Sequence, residues 1–432
     1  MTEPKETSNT GYTMYEAIKE AKRCLRCKNP SCQKNCPINN DIPDFIYQLS
    51  KGNLGEAREI LAKKTNLPAV CGRVCPHEKQ CVGHCILNGK SAPIQVGKLE
   101  EFIADFDAEM GLIKENLPHK TRGKVAVIGS GPAGLTVAGD LARQGFNVVV
   151  YENESEPGGV LLYGIPEFRL PKEIVRREIK RIEALGVSFL TSVMVGRDLT
   201  IDDMFARNFD AIFIGTGTAL ARDLDIPGRG KSGVLQATYF LRMVTLYNGG
   251  NVDRDEVPVE EGDKTIVIGA GNVAMDAART ALRMGAKSVT VVSRSGFDKM
   301  PALLAEYNSA LEEGVEFLWD AQPLEFTGYQ SVKGLKYRKN GETNEIDGDT
   351  VMLAVGSRPA SRIVSTTTGI EVNENGYVIT KERPYGMTTR KGVFAGGDVV
   401  HKPATVVLAM KEAKRVAEGI ASYVDAIKLL DL

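Results

Sequence analysis

Residues 124–135 read KVAVIGSGPAGL, and residues 264–275 read KTIVIGAGNVAM. Each is an apolar run of buried-strand type that enters a glycine turn and leaves it as a helix. The first continues into a second apolar strand, NVVVYE at 147–152, and the second, after a helix to about Met284, into SVTVVSR at 288–294. This is βαβ grammar written twice, 140 residues apart. That spacing is too long for a solenoid repeat and suits two related dinucleotide-binding domains.

Working outward, three more strands run into glycine: DAIFIGTGT at 210–218, DTVMLAVGSRP at 349–359 and GVFAGGDV at 392–399. The expected fold class is therefore α/β, with two nested Rossmann-like domains of the glutathione-reductase type behind an α-helical domain. The expected boundaries are 1–120 for the helical domain, 121–235 and 361–432 for the two parts of the first nucleotide domain, and 236–360 for the second. Within the helical domain, Thr13-Met14-Tyr15-Glu16 reads as a capping box opening a helix toward Leu25. Further helices are expected at 42–49, 55–63 and 96–110.

A 432-residue chain with 43% hydrophobic and 25% charged residues has ordinary globular composition, which disfavours disorder and fibres. Its net charge of −1 gives no global field for nucleic acid or an anionic membrane. The first residues are polar and acidic without a secretory pattern, and no stretch offers about 18 uninterrupted apolar residues, so a cytoplasmic protein is expected.

All eight cysteines fall between Cys24 and Cys85, as Cys24-x2-Cys27-x4-Cys32-x3-Cys36-Pro37 and Cys71-x3-Cys75-Pro76-x4-Cys81-x3-Cys85. In a reducing compartment such spacing means metal ligands rather than disulfides. Two four-cysteine zinc sites and two iron–sulfur clusters both satisfy the count. The Cys-Pro endings resemble the bacterial ferredoxin run, and a redox carrier has a use beside nucleotide sites that zinc lacks. Residues 16–90 also hold 13 Lys/Arg against 7 Asp/Glu, a local surplus that anionic clusters would offset.

At the first turn Gly129, Gly131 and Gly134 fill the motif, with Pro132 and Ala133 between them, and Glu152 ends the next strand, placed to accept from a ribose hydroxyl. At the second turn the set is Gly269, Gly271, Asn272, Val273 and Ala274, with Ser293 and Arg294 at the matching strand end and Gly356 in the closing strand. An arginine in place of the acid favours a 2′-phosphate and hence NADPH, while the neighbouring Ser295 adds no second charge and leaves NADH open. The histidines His77, His84, His119 and His401 fit no ligand spacing and read as structural or solvent-facing.

The segments AKRCLRCKNPSCQKNCP, AVCGRVCPHEKQC, VIGSGPAGL, GGVLLYGIPEFRLPKEIV, VIGAGNVAMDAART and VFAGGDVV together resemble the glutamate synthase small-subunit family. The same segments are similar to the amino-terminal half of dihydropyrimidine dehydrogenase and to the large subunit of electron-bifurcating ferredoxin:NADP transhydrogenases. The resemblance implies FAD at the first turn, NADPH or NADH at the second, and two [4Fe-4S] clusters. It implies Cys24, Cys27, Cys32 and Cys85 as ligands of one cluster, and Cys36, Cys75, Cys81 and Glu100 as ligands of the other. Glu101 is the fallback, and Cys71 ligates nothing. Gly158-Gly159, Arg169, Thr216-Gly217, Gly397-Asp398 and Thr405 match FAD-contacting segments. Relatives often carry two adjacent arginines where this chain has Arg294-Ser295, and an arginine where it has Leu303.

The activity so implied is hydride exchange between nicotinamide and flavin, with single electrons passing through the clusters to or from a larger partner subunit. No catalytic acid or base is required, because the cofactors carry the chemistry. A bifurcating NAD/NADP/ferredoxin complex is one alternative setting and a self-contained diaphorase another. A scaffold or redox sensor with dormant nucleotide sites is an alternative of another class.

Overall fold

The computed structural model describes residues 11–112 and 117–430; the polar stretch 1–10 read above lies outside them. The chain divides into two compact units. Unit 1 comprises residues up to 157, 173–217 and 361–432, and unit 2 comprises 158–172 and 218–360. The short crossing stretch 158–172 thus groups with the second nucleotide domain, and the cysteine-bearing helices group with the first.

Unit 1 begins with helices Met14–Lys22, Ile42–Ser50, Leu54–Lys64, Pro68–Val74 and Val96–Met110. The Thr13/Glu16 capping box is present, and its helix stops at Lys22, three residues short of the expected end. Phe45, Ile46, Leu49, Leu61, Leu99 and Ile103 are at most 1% exposed and form the core of this helical part. Their spacing at i, i+3 and i+4 gives each helix one apolar stripe.

The sheet of unit 1 runs in the order Thr380–Glu382, Tyr385–Thr388, Val393–Ala395, Ala211–Ile214, Gly123–Ile128, Phe146–Tyr151, Ser188–Leu190. The five strands from Val393–Ala395 to Ser188–Leu190 are mutually parallel, and their central members are covered on both faces, which is why they read as unbroken apolar runs. Helices Pro132–Arg143 and Val406–Leu430 pack together on this sheet. The cysteine-bearing helices join them: Asn66 Nδ2 donates to Asp140 Oδ1 at 2.9 Å, and any Cβ on Gly139 would come within 2.7 Å of the Asn66 side chain.

Unit 2 holds a five-stranded parallel sheet, ordered Val234–Gln236, Thr350–Leu353, Lys264–Ile268, Ser288–Val292, Glu316–Leu318. An antiparallel three-stranded sheet, Gln322–Thr327, Gly334–Lys339 and Glu342–Asp347, follows it. Helices Ala237–Asn248 and Asn272–Arg283 cover the parallel sheet around Phe240, Met275 and Met352. Among the described residues no helix is long and apolar enough to cross a membrane.

Candidate functional sites: two glycine turns and a cysteine centre

The turn of unit 1 assigns a separate job to each glycine. Gly129 sits at φ +94°, and a Cβ there would come 2.8 Å from Gly215 O. A Cβ on Gly134 would lie 1.9 Å from Gly129 O, so helix and strand close only because it is absent. At Gly131 nothing lies within 4 Å of that position. The fold does not need the middle glycine, and the space it leaves at the helix start is open to a ligand approaching the backbone. Pro132 and Ala133 open that helix, with Pro fixing its first turn.

Glu152 is 4% exposed and reaches back to this turn. Ser130 N donates to its Oε2 at 3.0 Å, Ser130 Oγ donates to the same oxygen, and Glu154 N donates to Oε1 at 2.9 Å. The carboxylate therefore fixes the loop as well as standing at the strand end where a ribose would lie. Gly397 packs against Ala133, where an added Cβ would stand 2.9 Å from the alanine methyl. Asp398 beside it is half-buried; burial pushes its carboxyl up while Ala404 N holds it down. Thr405 stands at the start of Val406–Leu430 and accepts from Leu408 N. Thr216 and Gly217 follow the strand Ala211–Ile214, and a Cβ on Gly217 would meet nothing within 4 Å.

Gly159 and Arg169, expected beside the flavin, lie in the stretch that groups with unit 2. Gly159 precedes the short helix Val160–Tyr163. Arg169, partly buried, sits between two acids, with Nη1 2.7–2.9 Å from the Asp276 carboxylate and Nε 2.8 Å from Glu306.

The second turn repeats the pattern of the first. Gly269, at φ +118°, faces Ala354 O at 2.4 Å from an added Cβ, whereas at Gly271 the nearest atom is 3.9 Å away. Ala274 at the third position is fully buried, and Asn272 Oδ1 accepts from Leu303 N at 2.9 Å, tying the helix start to the following loop. Val273 is 41% exposed at the open end of that helix. At the strand end Ser293 is buried, its Oγ donating to Ser295 O at 2.9 Å, and Arg294 is exposed. Gly356 follows the closing strand at φ +99°, and Arg222 N donates to its carbonyl at 2.8 Å.

The eight cysteines are free. Cys24, Cys27, Cys32 and Cys85 line one cavity of about 240 Å3, with Ile42, Ile46, Leu87 and Val96 among its apolar walls. Among the described residues no three His, Cys, Asp or Glu side chains converge on a single-ion position; these four thiols ring a volume instead. The groups also sort by the fields they feel. Besides burial, Cys32 is perturbed by Cys24, Cys85 and Cys27, whereas Cys36 is perturbed by Glu100 and Cys71, and Cys75 by Cys71, Glu100 and Cys81. Burial pushes the Cys32 and Cys36 thiols up to about 11. Cationic iron reverses that cost, because a coordinated thiol is held deprotonated. The donor set fits the cluster chemistry.

Glu100 and Cys81 are each 6% exposed. Burial pushes the Glu100 carboxyl up to about 8, against the pull of Arg58, and Asn40 Nδ2 donates to Oε1 at 3.4 Å. Glu101 instead faces Arg73 at 3.2 Å. Cys71 is buried beside Cys75, with its Sγ 3.8 Å from both Thr65 Oγ1 and Met410 Sδ. Of the histidines, His84 lines the cavity with the first four cysteines, its Nδ1 2.7 Å from Gln80 O, while the His77 ring packs over Gly97 and His401 Nε2 lies 3.2 Å from Glu412.

Sequence reasoning missed two features of these sites. One is a buried ion network under the cysteine helices: Arg58 Nε donates to Asp107 Oδ2 at 2.9 Å, Arg181 pairs with the same oxygen, and Arg73 and Arg177 both bind Asp105. The other is Asp320, which stands against Ser295 and Gly296, just past Arg294 at the strand end. Both depend on pairings across the chain that no local pattern announces.

Comparison with known proteins agrees with this architecture. Residues 2–112 match the family described as dihydropyrimidine dehydrogenase domain II, 4Fe-4S cluster. Residues 123–413 match the pyridine nucleotide-disulphide oxidoreductases. Two nested nucleotide folds behind a 4Fe-4S domain thus define the chain as an oxidoreductase of the pyridine nucleotide class. Since residues 86–432 hold no cysteine, no disulfide takes part within that match.

More narrowly, the chain belongs to the glutamate synthase small-chain family. It is 37% identical to the "Glutamate synthase [NADPH] small chain" of Halomonas elongata, over 96% of this chain and 92% of that one. It is 36% identical to the "NAD-dependent dihydropyrimidine dehydrogenase subunit PreT" of Escherichia coli, over 96% of each. Among solved structures, thioredoxin reductase of Lactococcus lactis covers 70% of this chain and 99% of its own at 27% identity and a TM-score of 0.55.

Proposed function

We propose that this chain is the electron-entry subunit of a larger enzyme, exchanging hydride with NAD(P)H at FAD and passing single electrons through two [4Fe-4S] clusters to or from a partner subunit. The observation that carries the reading is the pairing of two ligand-shaped glycine turns with four thiols around one cavity. Relatives named as the small chain of one enzyme and a subunit of another support a partner. A hetero-oligomer in a reducing, cytoplasmic compartment suits the free thiols.

The chain's own residues bind, orient and insulate. In unit 1 the backbone at Gly131–Ala133 and the helix dipole behind it receive a pyrophosphate, and Glu152 and Asp398 offer carboxylates to hydroxyls. In unit 2 Gly271–Ala274 does the same for the nucleotide substrate. Cys24, Cys27, Cys32 and Cys85 would hold one cluster and Cys36, Cys75, Cys81 and Glu100 the other, the oxygen ligand setting the second to a different potential.

Anaerobically purified protein tests this directly. We expect flavin bands, about eight iron per chain, and bleaching by NADPH or NADH. Zinc in place of iron, or no response to either nucleotide, would refute the reading. Cys71→Ala is expected to keep all the iron, whereas Glu100→Ala changes the signal of one cluster by electron paramagnetic resonance. Copurification of a second polypeptide identifies the acceptor.

A further inference from the structure

Beyond its own end, the strand Glu316–Leu318 continues alongside residues 293–296, which leave the end of the neighbouring strand Ser288–Val292. Ser293 N donates to Leu318 O at 2.9 Å, Ala321 N donates to Ser293 O at 2.9 Å, and Asp320 N approaches Ser295 O at 3.4 Å. These contacts clamp Asp320 against the segment 293–296. A Cβ on Gly296 would lie 3.3 Å from both Asp320 carboxylate oxygens, and 2.7 Å from Oδ1 of Asp298 in the same turn. Trp319, stacked on Phe317 with ring centroids 5.5 Å apart, anchors the strand end. Asp320 itself sits at φ +56°, a left-handed conformation that Asp and Asn tolerate better than other side chains.

The segment so clamped is the one that in a βαβ nucleotide site meets the 2′ position of the adenosine ribose. Arg294, exposed, belongs to that segment, and the Asp320 carboxylate, also exposed, stands against it at Gly296. The two have opposite preferences. A guanidinium attracts a 2′-phosphate, whereas a carboxylate repels it and accepts hydrogen bonds from a free 2′,3′-diol. Discrimination between NADPH and NADH depends on such a repulsive element as much as on the attractive one.

We infer that Asp320 is a specificity-determining residue, which counterbalances Arg294 so that unit 2 accepts NADH alongside NADPH. This rests on unit 2 being the NAD(P)H site. Asp320 reaches the turn from the neighbouring strand, about 25 residues further along the chain than Arg294, so it escapes any reading of the glycine motif alone.

The test is equilibrium binding of NADH and NADPH by anaerobic calorimetry to the full, cofactor-loaded chain reduced beforehand, so that no hydride passes on mixing, for the wild type, Asp320→Asn and Arg294→Ala. Asparagine keeps the left-handed backbone and removes only the charge. The wild type is expected to bind both nucleotides within about tenfold of each other. Asp320→Asn should raise the NADPH-to-NADH affinity ratio about tenfold or more, by tightening NADPH and loosening NADH. Arg294→Ala should move the ratio the other way. A purely structural role would weaken both nucleotides together. An Asp320→Asn ratio within twofold of wild type, with both nucleotides bound, overturns the inference. A wild type that binds neither overturns the reading of unit 2 itself.

Discussion

A methyl group distinguishes the roles of the glycines. At Gly271 it would enter space in which the nearest atom is 3.9 Å away, so Gly271→Ala should leave the melting temperature within about 2 °C of wild type. It should raise the KM for NAD(P)H at least about tenfold, because the methyl stands where the pyrophosphate approaches. At Gly134 the same methyl would meet Gly129 O at 1.9 Å, and Gly134→Ala should cost about 1–3 kcal/mol in denaturant unfolding. A Gly271 variant that melts early with KM unchanged would mean that the middle glycine serves folding.

Between elements, the network on Asp107 ties together helices Leu54–Lys64, Val96–Met110 and Lys172–Ala184. Arg58 and Asp107 are 4% and 3% exposed, so Asp107→Ala removes the hydrogen-bonded carboxylate of buried Arg58 and partly exposed Arg181, leaves them only Glu178 among the described residues, and should destabilise unit 1 by about 1–3 kcal/mol. The exposed Arg197–Asp198 pair is a control whose removal should leave the unfolding transition unchanged. In unit 2, burial alone would raise the Glu313 carboxyl, but the Arg283 and Arg279 guanidiniums outweigh it and hold it below the usual glutamate range. Its contribution is therefore complete above the ordinary value of 4.5 and is lost as pH falls through the lower folded value. The chain's one tryptophan, Trp319, belongs to unit 2. Unfolding free energies read from its fluorescence in denaturant should fall by about 1 kcal/mol more between pH 5 and 3 in wild type than in Glu313→Gln.

These elements also separate what the sequence made legible from what it did not. The helix expected at 96–110 spans Val96–Met110, because its apolar stripe and Gly111 mark both ends. The strands flanking both glycine turns were legible for the same reason: a strand buried on both faces leaves an unbroken apolar run. The sheet of residues 322–347 was not, since its outer strand Glu342–Asp347 is almost wholly exposed and carries no apolar face. Nor was the crossing of residues 158–172 into unit 2, which rests on Arg169 meeting Asp276 a hundred residues away. At the sites, the ligand types and turns could be read directly, but Asp320 and Asp107 act through space.

At the scale of the whole molecule, every cysteine lies in unit 1 and the tryptophan in unit 2, so the two units carry separate reporters. NADP+, which binds without reducing the protein, should at about 100 times its dissociation constant stabilise the transition seen by Trp319 by about 2.7 kcal/mol, and leave the loss of visible cluster absorbance at its original temperature. Equal displacement of both signals would show that the units unfold as one.

The sheet of unit 1 is assembled from both ends of the chain: Val393–Ala395 pairs with Ala211–Ile214, although about 180 residues separate them. During synthesis at about 5–20 residues per second, a nascent chain waits roughly ten to forty seconds between emergence of the central strand and arrival of its neighbour. The cysteine helices are out of the ribosome from the start of that interval. Topology therefore lets the cysteine helices meet metal on a growing polypeptide, whereas the first nucleotide site is complete only on a nearly finished one.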